Sequence, residues 1–196
     1  MSLASRDGHT IRLLNDCIWR EIDIGDQPST TLFNLRPNGN VGADIWIPLL
    51  WPGVSQPYEA IVRTEDREWA AGPMTKAAGQ GGAEATGAFR VAQVSKERTV
   101  LGQAVLLRCL PRAADVPHLE LAIRYEIATD LPLLIKDVTV VNRGDRTVRI
   151  DNLTVDAFTG SRYGHELRVF TDYYDAYGES KSKDQVYQGW LRREFP

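Results

Sequence analysis

Two groups of residues in this chain have the chemistry to hold a sugar. Near the carboxyl end, Tyr173, Tyr174, Tyr177 and Trp190 are interleaved with Asp172 and Asp175. Further upstream, Trp46 and Trp51 stand close to Pro48 and Pro52. Flat aromatic faces stack on the apolar C–H surface of a pyranose, while neighbouring polar groups read its hydroxyls. Asp172, Tyr173, Tyr174, Trp190, Trp46 and Trp51 are therefore the candidate carbohydrate contacts. Core packing uses aromatics at least as often, so both groups have a purely structural reading as well.

Catalysis would need more. Glycoside hydrolysis takes two carboxyl groups about 5 Å apart for retention, or about 6.5 to 9.5 Å apart for inversion. Asp172 with Asp175 and Asp151 with Asp156 are neighbours in sequence, yet acids at strand ends are ordinarily solvated and nothing marks one with a raised pKa. A sugar epimerase or mutarotase needs a carboxylate and a histidine aimed at one point. His118 with Glu120 could supply them. His165 and Glu166 could not act together, since adjacent residues in a strand face opposite ways. No catalytic residue is assigned on this basis. His9, His118 and His165 are isolated, no HxH, HExxH or CxxC spacing occurs, and neither a metal site nor a cofactor is expected. Cys17 and Cys109 read as independent buried thiols more readily than as a disulfide.

Composition narrows the partners. Lys and Arg total 23 against 26 Asp and Glu, a formal charge of -3, so no basic field is present to bind nucleic acid. No apolar run approaches the ~20 residues of a membrane span, and none is expected. With 196 residues, 43% hydrophobic and 25% charged, the chain suits one large domain over residues 1–196. The amino terminus lacks a cationic region followed by an apolar core, but a leader already removed would leave the same picture, so the compartment stays open. The end at Pro196, straight after GWLRREF, suggests a piece of a longer protein.

The elements that would position these groups are strands. Residues 118–158 carry the clearest pattern: Leu119, Leu121, Ile123, Tyr125 and Ile127 alternate with Glu120, Ala122, Arg124, Glu126 and Ala128, predicting one oily and one charged face. Thr129 to Pro132 breaks the run. A second strand follows to Asn142 with Leu134, Val138 and Val140 on one face, and Asn142 to Asp145 should close a hairpin, with Gly144 at positive φ, onto a third strand. That third strand must change faces near Asp151 and Asn152, by a bulge or a bend between sheets, because Val148 and Ile150 differ in parity from Leu153 and Val155. Elsewhere, 11–24 reads as two strands broken at Asn15 and Asp16, and 30–36, 58–63 and a short edge after Glu65 read as further strands. Gly72 to Gly87 reads as a long soft loop. Two strands lie either side of a turn at Ser95 to Thr99, and a last strand begins at His165. The sum is roughly ten to twelve strands and no helix longer than a few residues, an all-β class.

The phrase LAIRYEIATDLPLLIKDVTVVNRGDRTVRIDNLTVDAF resembles the corresponding stretch in the amino-terminal β-supersandwich domains of glycoside hydrolases related to the α-galactosidases. The matching positions are Tyr125, Glu126, Ile127, Leu131, Pro132, Lys136, Asn142, Gly144 and Asp145, with TTLFNLRPNGN and YEAIVR in the family's order upstream. The resemblance implies an antiparallel two-sheet supersandwich of the galactose-mutarotase-like kind. It also implies that catalytic carboxylates sit on a following (β/α)8 barrel, absent from this chain. The expected function is then a non-catalytic, carbohydrate-associated accessory domain, with carbohydrate and a carboxyl-terminal barrel as partners and self-association through a long edge strand as an option. A stand-alone sugar epimerase or mutarotase, or a protein-interaction sandwich with no sugar ligand, are the alternatives.

Overall fold

A turn built by one side chain starts the fold. The Asn15 carboxamide oxygen accepts hydrogen bonds from the backbone N–H groups of Cys17 and Ile18, at 2.9 and 2.8 Å. This reverses the chain between β2 (Thr10–Leu14) and β3 (Ile18–Asp23), as the break in the pattern predicts. The same side chain donates from Nδ2 to the carbonyls of Ala128 and Leu131, each at 2.9 Å, so the turn is also tied to the far end of another sheet.

The computed structural model describes residues 5–6, 8–25, 27–36, 47–48, 58–65, 67–72, 86–155, 169–175 and 189–195. Among them there is no helix, and every regular element is a strand. The chain divides into two compact units, Met1–Ser161 and Arg162–Pro196.

In the larger unit β1 (Ser5–Arg6), β2, β3, β4 (Ser29–Leu35) and β5 (Ile47–Pro48) form a sheet in that order. Pro48 lies on the terminal strand of this sheet, where a missing N–H is tolerated. A second sheet takes the order β12-β11-β10-β9 from β9 (Phe89–Arg98), β10 (Gly102–Pro111), β11 (Leu119–Ala128) and β12 (Leu134–Asn142). A third runs β13-β6-β7-β8 from β6 (Ala60–Thr64), β7 (Arg67–Ala71), β8 (Thr86–Gly87) and β13 (Asn152–Thr154). All pairings are antiparallel except β7 with β8. Gly102 opens β10 at a point where a Cβ would sit 2.3 Å from the Ile127 carbonyl oxygen, so only glycine lets these two strands come together. The smaller unit contributes an antiparallel ribbon of β14 (Val169–Asp175) and β15 (Gly189–Phe195).

All three sheets feed one core. Ile11, Leu13 and Ile22 come from the first, Leu107, Leu121 and Ile123 from the second, and Val62 and Trp69 from the third. The inward positions follow the alternation expected for β11, but its charged face is not open: Glu120 is buried beneath Arg108 of β10, and Glu126 beside Arg124 of its own strand.

Several expectations need correction. The loop at Asn142 does not close a hairpin. Asn142 instead accepts from the Gly144 N–H at 3.0 Å and donates to the Arg146 carbonyl at 2.7 Å, and Gly144 is not among the positive-φ glycines. Gly144 serves close approach, since a Cβ there would meet the His118 Cβ at 3.2 Å. Residues 143–151 leave the sheet through a bend at 144–146, and the segment expected to pair with β12 pairs as β13 with β6. The change of parity near Asp151 thus marks a crossing between sheets, because alternate faces of one strand cannot both reach the same core. The β9 strand runs on through Arg98, so the turn falls at 99–101 and not at Ser95. The last expected strand is the first half of the β14–β15 ribbon, whose second strand the sequence reading left out.

Candidate functional site

Where the three sheets meet, a carboxylate is sealed into the core. Glu59 sits just before β6 and is fully buried. Its Oε1 accepts from the Thr30 hydroxyl at 2.6 Å. Its Oε2 accepts from Arg20 Nη2 at 3.0 Å, from Lys136 Nζ at 3.0 Å and from the Tyr125 hydroxyl. These donors arrive from β3, β4, β11 and β12, so one acid joins strands of all three sheets. One of the four donors reaches Oε1 and three converge on Oε2. Arg20 Nε also donates to Thr30 Oγ1 at 2.9 Å, and its guanidinium lies 4.9 Å from the Phe33 ring centre and 5.0 Å from that of Tyr125.

The sequence places these groups by parity. Arg20 falls between Ile18 and Ile22, Tyr125 between Ile123 and Ile127, and Lys136 between Leu134 and Val138, each on the inward-facing set of its strand. Burial pushes the Glu59 carboxyl up, but the charges of Arg20 and Lys136 and the hydrogen bonds of Thr30 and Tyr125 outweigh it and hold the group at about 2. Burial, reinforced by the charge on Glu59, drives the nearby Cys109 thiol the other way, to about 12. No disulfide joins Cys17 and Cys109; Cys109 is buried, as expected, and Cys17 half-buried.

A second charged array covers the opposite face of the β9–β12 sheet. Glu120 accepts a two-pronged pair from Arg108, 2.8 Å to each oxygen, and a further bond from Arg143 at 2.9 Å. Hydrogen bonds from these two guanidiniums pull its carboxyl to about 2. Along the same face Arg124 reaches Glu126 at 2.9 Å and Glu97 at 3.2 Å, and Glu126 is lowered by hydrogen bonds from Thr99 and Arg124.

Neither array is a proton-transfer centre. A general base must have a pKa near the working pH, and Glu59 and Glu120, each held at about 2, do not. His118 shares a parity with Glu120, but two arginines occupy that carboxylate, so the pair is not poised for epimerase chemistry. Asp151 is exposed and held by Arg149 at 2.8 Å. Among the described residues no group of three His, Cys, Asp or Glu is arranged to hold a metal ion.

The aromatic candidates fall partly on the small ribbon. Its register sets Tyr174 opposite Trp190, Asp172 opposite Arg192 and Tyr173 opposite Leu191. Trp46, Trp51, Asp156, His165, Glu166 and Tyr177 lie outside the described residues. The Glu59 cluster was missed by sequence reasoning, although the charged residues on oily parities of β3 and β12 signalled it. No protein-family model, curated protein or solved structure matches this chain.

Proposed function

We propose that this chain is a non-catalytic, carbohydrate-associated all-β domain of the kind that accompanies α-galactosidase-type hydrolases. The observation that carries the non-catalytic part is the convergence of four donors on Glu59. Glycosidases depend on an acid whose pKa is raised so that it can protonate a leaving group. Here the most deeply buried carboxyl among the described residues is driven down to about 2 by the groups that donate to it. Such an acid ties sheets together and has no proton to give.

The sugar part rests on the resemblance of residues 118–158 and on the ribbon, where Tyr174 opposes Trp190 and Asp172 opposes Arg192. Aromatic residues interleaved with acids and bases along one ribbon are the mixture that pyranose recognition uses. Antiparallel sheets closing on one core support the finer inference of a galactose-mutarotase-like supersandwich.

Calorimetric titration of the whole chain with monosaccharides and galacto-oligosaccharides tests the reading. Saturable heat from a galactose-type sugar, with no acceleration of galactoside hydrolysis or of sugar mutarotation, is the expected result. Silence across the panel, or measurable turnover, would overturn it.

A further inference from the structure

The β9–β12 sheet has two edges, and they are built differently. Edge strands expose a row of unpaired backbone groups, and proteins guard them with charges, prolines, bulges or inward-turned lysines. The β9 edge has two such guards. Its pairing with β10 slips between Arg108 and Cys109, leaving Ala92 as an extra residue, and its end carries exposed Lys96, Glu97 and Arg98.

The β12 edge has neither a slip nor a charged end, and its one exposed charge, Asp137, lies 3.6 Å from Arg124. It pairs with β11 through nine consecutive positions, from Leu134 with Ile127 to Asn142 with Leu119, without a slip. Its sequence LIKDVTVVN holds no proline and is rich in β-branched residues. The one inward lysine, Lys136, is engaged with Glu59 at 3.0 Å and only 9% exposed, so its ammonium does not guard the rim. Among the described residues no strand pairs with the free side of β12.

We propose that β12 is a dimerisation edge that takes a second copy of this chain. Two copies would pair β12 with β12 in antiparallel fashion, joining two four-stranded sheets into one. Opposed residues must share a face, so the twofold axis passes through a residue and not between two. Placed at Val138, the midpoint, it keeps the whole strand paired. It sets Leu134 against Asn142, Ile135 against Val141, Lys136 against Val140 and Asp137 against Thr139, with no like charges opposed. An axis at Asp137 or Lys136 would set that charge against itself, which is unfavourable. The strand is thus complementary to its own copy in one full-length register.

Thr139 is exposed and tests the register by sign. Thr139→Asp sets a carboxylate against Asp137 of the second copy at both symmetric positions, and Thr139→Lys sets an ammonium there. Sedimentation of the whole chain across a concentration series should show a dimer. Thr139→Asp should weaken it about tenfold, and Thr139→Lys should leave it equal or tighter. Circular dichroism of both variants separates lost pairing from lost fold. A wild-type chain that is monomeric at every concentration, a dimer indifferent to Thr139→Asp, or equal weakening by both variants would overturn the proposal.

Discussion

Glu59 and Glu120 are each held at about 2, one in the core between sheets and one on a sheet's outer face, yet the forces behind the two values differ. Glu59 has lost its water entirely, and burial is the largest single influence on it. Two cations, a hydroxyl and a phenol reverse that penalty. Glu120 is lowered chiefly by the hydrogen bonds of Arg108 and Arg143, whose side chains remain 41% and 57% exposed. The same pKa therefore conceals unequal consequences: removing the inner acid strands buried charge, and removing the outer one releases arginines into water.

The most severe test of this contrast is Glu59→Gln. It removes the carboxylate charge that Arg20 and Lys136 share, and denaturant unfolding should show a loss of about 3 to 5 kcal/mol. The wild-type pH profile reads the same contact. The folded pKa of Glu59, about 2, lies below its ordinary value of 4.5, so its contribution is fully present above about pH 5 and lost as pH falls towards 2. The loss is on the order of 3 kcal/mol, and Glu59→Gln should remove that part of the acid slope. An unchanged slope in the variant would show that Glu59 is not the acid being titrated.

Tyr125→Phe is gentler. It withdraws one donor from Glu59 while keeping the ring beneath Arg20 and Lys136, and should destabilise by about 1 to 3 kcal/mol. A neutral result would mean that the remaining donors satisfy the carboxylate unaided. Glu120→Gln should have the smallest effect of the three. Its sensitivity to salt sharpens the comparison: raising ionic strength from about 0.1 to about 1 M shortens screening to about 3 Å. The difference between wild type and Glu120→Gln should then shrink while that between wild type and Glu59→Gln persists. Equal salt dependence for both acids would break the distinction between interior and surface.

The strands were legible because their signal is local. Ile11 to Ile24 breaks at Asn15, where one carboxamide can satisfy the turn by itself, and β11 shows a period of two that only a sheet can use. The cluster was half legible. Charges at Arg20 and Lys136 on oily faces announce a buried partner, but not that the partner is Glu59, which stands 39 residues from one and 77 from the other. Asn142 and Gly144 misled for a related reason. Their local geometry suits a hairpin, and competition from the free side of β6 drew the following segment to another sheet.

Alternation along the chain, then, was enough to specify an all-β molecule and the faces its strands turn inward, because side-chain direction in a strand depends only on position. Which strands become neighbours, which acid meets which cation, and where a sheet stops were decided in three dimensions. Those outcomes depend on burying every face and pairing every buried charge at once, a condition no single segment contains.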